Sequence, residues 1–162
     1  MNNKKIKSIL LSTPEVRTIL AEKNPQIRRA VKKAPTLWAY HKPFEIPAHE
    51  GNFLTNEPSG RWNYEYSNSW PIQAPYKTKD ILYVREAWGI GRAGTIIYRA
   101  DYPDKCAPLA DGEKWKAPIR SVARLFLRIN DTDVKCIDDA WFWIFDCQKL
   151  IGDVETVQKH IL

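Results

Sequence analysis

Lys23, Arg28, Arg29, Lys32 and Lys33 crowd one short segment of the sequence, whereas the acidic residues are spread along the chain. Cations gathered in this way can neutralise a polyanion, and guanidinium groups add bidentate hydrogen bonds that match phosphate. The same run also suits a solvated surface face. A second set of residues supplies flat apolar surface: Trp62, Trp88 and Tyr98 carry rings on which a base can stack, at about 1–3 kcal/mol per base. If the basic segment is a strand, Arg28 and Arg29 point to opposite faces, so at most one of them faces a cleft and the other is left to pair an acid. Arg85 and Glu86 pose the same question inside an apolar run. One of the two must point inward, where a charge is costly unless paired, so either a buried ion pair or a ligand contact is required.

Other chemistries are poorly served. The chain has no GxSxG, GxxxxGK[ST] or HExxH pattern, and Gly89-Ile90-Gly91 reads as a hairpin connector rather than a phosphate loop. His41, His49 and His160 are too scattered for metal-ligand spacing. Cys106, Cys136 and Cys147 are odd in number and lack CxxC spacing, which argues against a disulfide framework or a zinc site; each is expected as a small core residue in a reducing cytoplasm. No cofactor and no metal is expected. No apolar run approaches the roughly 20 residues that span a membrane, and no signal peptide is expected. Lys and Arg number 25 against 19 Asp and Glu, a net charge of +6 that favours polyanionic partners.

The elements that must position these residues can be read in order. Residues 6–11 form a short apolar strand, and Ser12-Thr13-Pro14-Glu15 supplies a hydroxyl cap, a first-turn proline and a first-turn acid for a helix over 14–23. Val16, Ile19 and Leu20 recur on its apolar face, and Asn24-Pro25 stops it. The basic segment from Gln26 to Lys33 follows as a strand or an extended lip. Prolines 35, 43, 47, 58, 71 and 75 punctuate 34–79, an irregular, aromatic-rich insertion with one hairpin about Glu57-Pro58-Ser59-Gly60. Residues 80–88 are the clearest strand, with 95–100 as hairpin partner through the connection 89–94; strands at 123–130 and 141–147 follow. Trp141 and Trp143 share one face and belong in the core. The spacing predicts an α+β, mainly β chain. Short strands with one early helix point to a closed or nearly closed small barrel in a single domain over 1–162, with 151–162 as a C-terminal extension.

Read in order, Ile9-Leu10-Leu11-Ser12-Thr13-Pro14, Gln26-Ile27-Arg28-Arg29, Asp80-Ile81-Leu82-Tyr83-Val84-Arg85-Glu86-Ala87-Trp88, Tyr98-Arg99-Ala100-Asp101, Ala123-Arg124-Leu125-Phe126-Leu127-Arg128 and Trp141-Phe142-Trp143 resemble the successive signatures of phage-type ASCH proteins. The resemblance implies a PUA-like barrel encoded by a phage or prophage. Its first helix and lip would border a basic cleft for RNA or a modified nucleoside, with Lys23, Gln26, Arg28, Arg29, Arg85, Trp88 and Tyr98 as the contacting residues. Some small members remove acetyl from N4-acetylcytidine with a lysine and a threonine of a K-T-x-T segment and a glutamate on a later helix. This chain departs from that set: Asn24 stands at the lysine, Pro25 and Ile27 at the threonines, and Lys23 falls one position early. Val134-Lys135-Cys136-Ile137 passes through Asp138-Asp139 straight to Trp141, leaving no room for the glutamate's helix, and Lys79 replaces a glycine before Asp80.

Three readings follow. The first is a non-catalytic RNA or modified-nucleotide binding module. The second is an amidohydrolase with a site rebuilt on Lys23 and an acid such as Asp101, Asp138 or Glu86. The third is a scaffold whose aromatic insertion at 34–79 binds a host protein.

Overall fold

A computed structural model of the chain describes residues 6–32, 53–56, 59–64, 67–106 and 108–150. His41, His49, His160, the first part of the 34–79 insertion and the 151–162 extension lie outside the described residues. Strands hold 48% of the described residues and helices 13%, so the chain is mainly β with one α-helix. Its sheets are open, and none closes into a barrel among the described residues. In chain order the elements are β1 (Lys7–Leu10), α1 (Thr13–Ala21), β2 (Gln26–Ala30), β3 (Phe53–Asn56), β4 (Arg61–Tyr64), β5 (Ser67–Gln73), β6 (Ile81–Arg85), β7 (Trp88–Ile90), β8 (Ile96–Tyr98), β9 (Phe126–Ile137) and β10 (Ala140–Leu150), with 3-10 turns at Arg99–Asp101 and Arg120–Val122. The hydrogen-bonded order of the largest sheet is β1-β6-β9-β10-β2, which puts β9 rather than the 80–88 segment at its middle.

Two compact units share the chain. The first comprises Met1–Pro25, Asp80–Arg128 and Cys147–Leu162. Here β1 lies parallel to β6, and β6 pairs antiparallel with the opening residues of β9. The Glu15 carboxylate caps α1 by accepting hydrogen bonds from the Ser12 backbone N–H and hydroxyl, both at 2.8 Å. Val16 and Ile19 are buried beneath the helix, whereas Leu20, expected with them, is 39% exposed because it stands one 100° step beyond Ile19. The expected hairpin of 80–88 with 95–100 is corrected: β6 stops at Arg85, and β8 pairs with the separate strand β7. Gly89 lies inside β7 rather than in a turn. A Cβ there would meet Leu109 Cδ2, so the glycine lets that side chain pack close against β7. The reversal itself is at 91–95, where the Gly91 N–H donates to the Thr95 carbonyl at 2.8 Å.

The second unit comprises Gln26–Lys79 and Ile129–Asp146. Its strands β3, β4 and β5 form an antiparallel sheet, so the insertion expected to be irregular carries three strands. Pro71 disguised β5 as a loop in the sequence; a proline is tolerated there because β5 is an edge strand. Strands β9 and β10 are joined by Asp138 and Asp139, both at positive φ (49° and 61°), a two-residue hairpin turn. Strand β2 pairs antiparallel with β10. Aromatic edges pin the core: Phe53 meets Trp141 at 4.9 Å and Trp62 meets Trp143 at 6.0 Å between ring centroids.

Candidate functional site

A cleft of about 570 Å³ opens in the second unit. Its lining combines apolar Ile72 and Pro75, the rings of Tyr76 and Trp143, and the cations Arg29 and Lys32. The pairing of β2 with β10 sets Arg29 directly across from Trp143, which brings a charged and an aromatic side chain to one face of the sheet. Trp143 is only 4% exposed and packs edge-on against Trp62, so it serves as a floor rather than a free stacking plate. Across β4 and β5, Trp62 is the register partner of Ile72, and the apolar packing behind the cleft is thereby continuous. Tyr76 leans edge-on against Phe145 at 5.3 Å, which orients its ring as a half-buried wall. Arg29 Nη1 donates to the Arg28 carbonyl at 2.7 Å, anchoring the guanidinium beside the strand. Gln73, also in the lining, donates from Nε2 to the Ser59 carbonyl at 2.9 Å.

The residues expected from the sequence separate. Arg29 lines the cleft, while Arg28 is exposed on the opposite face of β2, the alternation that a strand imposes. Gln26 donates to Asp146 Oδ1 at 2.9 Å and clamps the end of the β2–β10 pair. Trp62 is 5% exposed and has no open face for a base; its Nε1 finds no acceptor among the described residues. Lys23 is exposed just beyond the end of α1, in the first unit.

Arg85, Trp88 and Tyr98 also belong to the first unit. Trp88 donates from Nε1 to the Ala117 carbonyl, and Lys116 Nζ lies 5.1 Å from its ring. Tyr98 donates to the Val122 carbonyl at 2.7 Å, and the Arg124 guanidinium lies 3.9 Å above its ring. Each ring thus has one face taken by a cation of the same chain. Glu86, the inward partner of half-buried Arg85, is 5% exposed and receives Arg124 Nε and Nη2 at 3.0 and 3.1 Å. Arg124 also donates to both carboxylate oxygens of Asp101, at 2.7 and 2.8 Å. The inward charge is therefore met by an ion-pair network. Burial pushes the Tyr98 phenol above its ordinary value; Arg124 opposes that shift, and Glu86 and Asp101 add to it.

Tyr76, Gln73 and Ile72 were not anticipated at the site. They sit where prolines 71 and 75 break any periodic signal, and only the approach of β2 and β10 gathers them. Arg124 was missed as well, although a lone cation in the run from Ala123 to Leu127 was a legible sign of an inward charge. Of the cysteines expected in the core, Cys147 is buried, Cys136 half-buried and Cys106 exposed. Burial and the nearby Asp139 raise the Cys136 thiol, which disfavours its nucleophilic thiolate. Among the described residues no group of three His, Cys, Asp or Glu side chains could hold a metal ion, and no helix is long and apolar enough to cross a membrane. Compared with known proteins, the chain matches no family model, no curated protein and no solved structure.

Proposed function

We propose that the second unit binds single-stranded RNA or a modified nucleotide in the cleft between Arg29 and Tyr76. The observation that carries the reading is the composition of one concave site: an apolar and aromatic floor, a tyrosine wall and two cations. Its volume falls within the roughly 300–1,000 Å³ usual for small-ligand sites. Arg29 and Lys32 are the groups for phosphate, and Tyr76 is the group against which a base packs. The chain's net charge of +6 would draw a polyanion toward the protein. The ordered sequence blocks from Ile9 to Trp143 support the same reading, because the ASCH family they resemble is associated with RNA and modified nucleosides. The proposal extends to the fold, with these open sheets read as part of a PUA-like barrel; cross-strand nuclear Overhauser contacts that close the largest sheet test the extension, and a sheet edge left open removes it.

The binding test is fluorescence anisotropy of a labelled single-stranded RNA over a salt series. Affinity should fall with a log-log slope of about −0.7 for each phosphate contact. Arg29→Glu and Lys32→Glu should weaken binding across sequences and make that slope shallower, while Arg28→Glu, on the opposite face, should do less. Affinity unchanged in both Arg29→Glu and Lys32→Glu would remove the cleft from consideration.

A further inference from the structure

We infer, resting on the reading just proposed, that Gln73 selects the base entering the cleft and favours one presenting an exocyclic amine over uracil. Gln73 closes β5, and its amide nitrogen is engaged by the turn between β3 and β4: Nε2 donates to the Ser59 carbonyl at 2.9 Å. The neighbouring Gly60 has φ of 70°, and a Cβ there would lie 3.1 Å from that same Nε2. The nitrogen end of the amide is thus packed against the Ser59-Gly60 backbone. Reversing the amide would set Oε1 against the Ser59 carbonyl oxygen, two acceptors with no hydrogen between them, so the turn fixes which end faces which way. Oε1 is the end left for a ligand, and among the described residues no donor serves it.

That acceptor belongs to a residue lining the same cleft as Arg29, Lys32 and Tyr76. A nucleotide with its phosphate on the cations and its base against Tyr76 therefore brings a base edge toward an acceptor. Cytosine and adenine offer an exocyclic N–H₂ there, whereas uracil offers the O4 carbonyl, which would leave two acceptors opposed. Gln73 is exposed, so the discrimination is that of one hydrogen bond: an N–H₂ donates to Oε1, whereas a carbonyl there opposes two acceptors and must give up its own water. Leu at position 73 would keep roughly the size of the side chain and delete the acceptor.

The experiment compares binding of short oligocytidylate and oligouridylate to the full chain at fixed salt, with cytidine and uridine monophosphates as competitors. Wild type should favour the cytidine ligands by about fivefold. Gln73→Leu should bring the two within about twofold of each other while leaving the salt slope as in wild type, because the phosphate contacts are intact. Gln73→Glu serves as the second variant, keeping an acceptor while losing the N–H that reaches Ser59. It should retain the cytidine preference at lower overall affinity, and Gln73→Ala, which also removes the acceptor, decides the matter if Gln73→Leu does not fold. Equal affinity of wild type for both ligands, or a preference that survives Gln73→Leu, overturns the inference and leaves the binding proposal standing. No binding of either ligand by wild type overturns the binding proposal and the inference with it.

Discussion

Tyr98 connects burial to charge at the scale of one residue. Its hydroxyl donates to the Val122 carbonyl, and Arg124, bridged to Glu86 and Asp101, covers its ring. Burial raises the phenol above its ordinary value, with Arg124 opposing and the two acids adding to the shift, so the folded chain holds this proton more tightly than the unfolded chain does. The stabilisation is fully present below the unfolded value of about 10 and is lost as pH rises through the folded value. At neutral pH, Tyr98→Phe should cost about 1 kcal/mol for the lost hydrogen bond, because the arginine can still cover the ring. Above pH of about 10 the gap between wild type and variant should narrow, since the unfolded chain then releases its phenolic proton while the folded chain still holds it. Urea denaturation across an alkaline series checks this, and a constant gap would contradict it.

At the scale of elements, the turn between β3 and β4 does two things. Gly60 at φ of 70° lets the chain reverse, and its missing side chain leaves room for Gln73 and for Lys77, whose Cε would lie 2.7 Å from a Cβ at this position. Gly60→Ala should therefore destabilise the protein by about 1–2 kcal/mol through left-handed backbone strain. The urea midpoint should fall with the m value unchanged, because the surface exposed on unfolding stays the same. The hairpin was legible in the sequence from Glu57-Pro58-Ser59-Gly60 between Asn52-Phe53-Leu54-Thr55 and the aromatic run Arg61-Trp62-Asn63-Tyr64. Its third strand was not, because Pro71 reads as a breaker until β5 is known to be an edge. The split of 80–88 into β6 and the start of β7 was equally hidden, since β6 pairs with β1 and β9 whereas Trp88 pairs with Tyr98 of β8, and no local pattern records those partners.

For the molecule as a whole, the ASCH reading proposed above raises the question of deacetylation, and the residues at the positions it would need speak against it. Asn24 is an amide and cannot act as a base near neutral pH; Ile27 has neither proton nor oxygen to offer and is 3% exposed opposite Phe145. A two-residue turn joins β9 to β10, so no helix stands there to carry a glutamate. Purified protein incubated with N4-acetylcytidine should show turnover at least about a thousandfold below an intact family member, because losing members of a catalytic set usually costs several orders of magnitude. Turnover within about tenfold of that control, abolished by Lys23→Ala, would promote the rebuilt-site hydrolase instead.

Four features have local causes and could be read along the chain: the cap of α1 at Ser12 and Glu15, the strand character of 81–85 and 126–130, the opposite faces of Arg28 and Arg29, and the burial of Trp141 and Trp143. Each rests on side-chain periodicity or on a backbone preference a few residues long. The remaining features are set by long-range pairing. Which strand β8 joins, which cation meets Glu86 and which residues surround Arg29 depend on pairings between segments far apart in the chain, and no local pattern records a partner's identity. Tyr76 and Gln73 became neighbours of Arg29 only because β10 pairs with β2 and packs its tryptophan against the sheet that ends in Gln73.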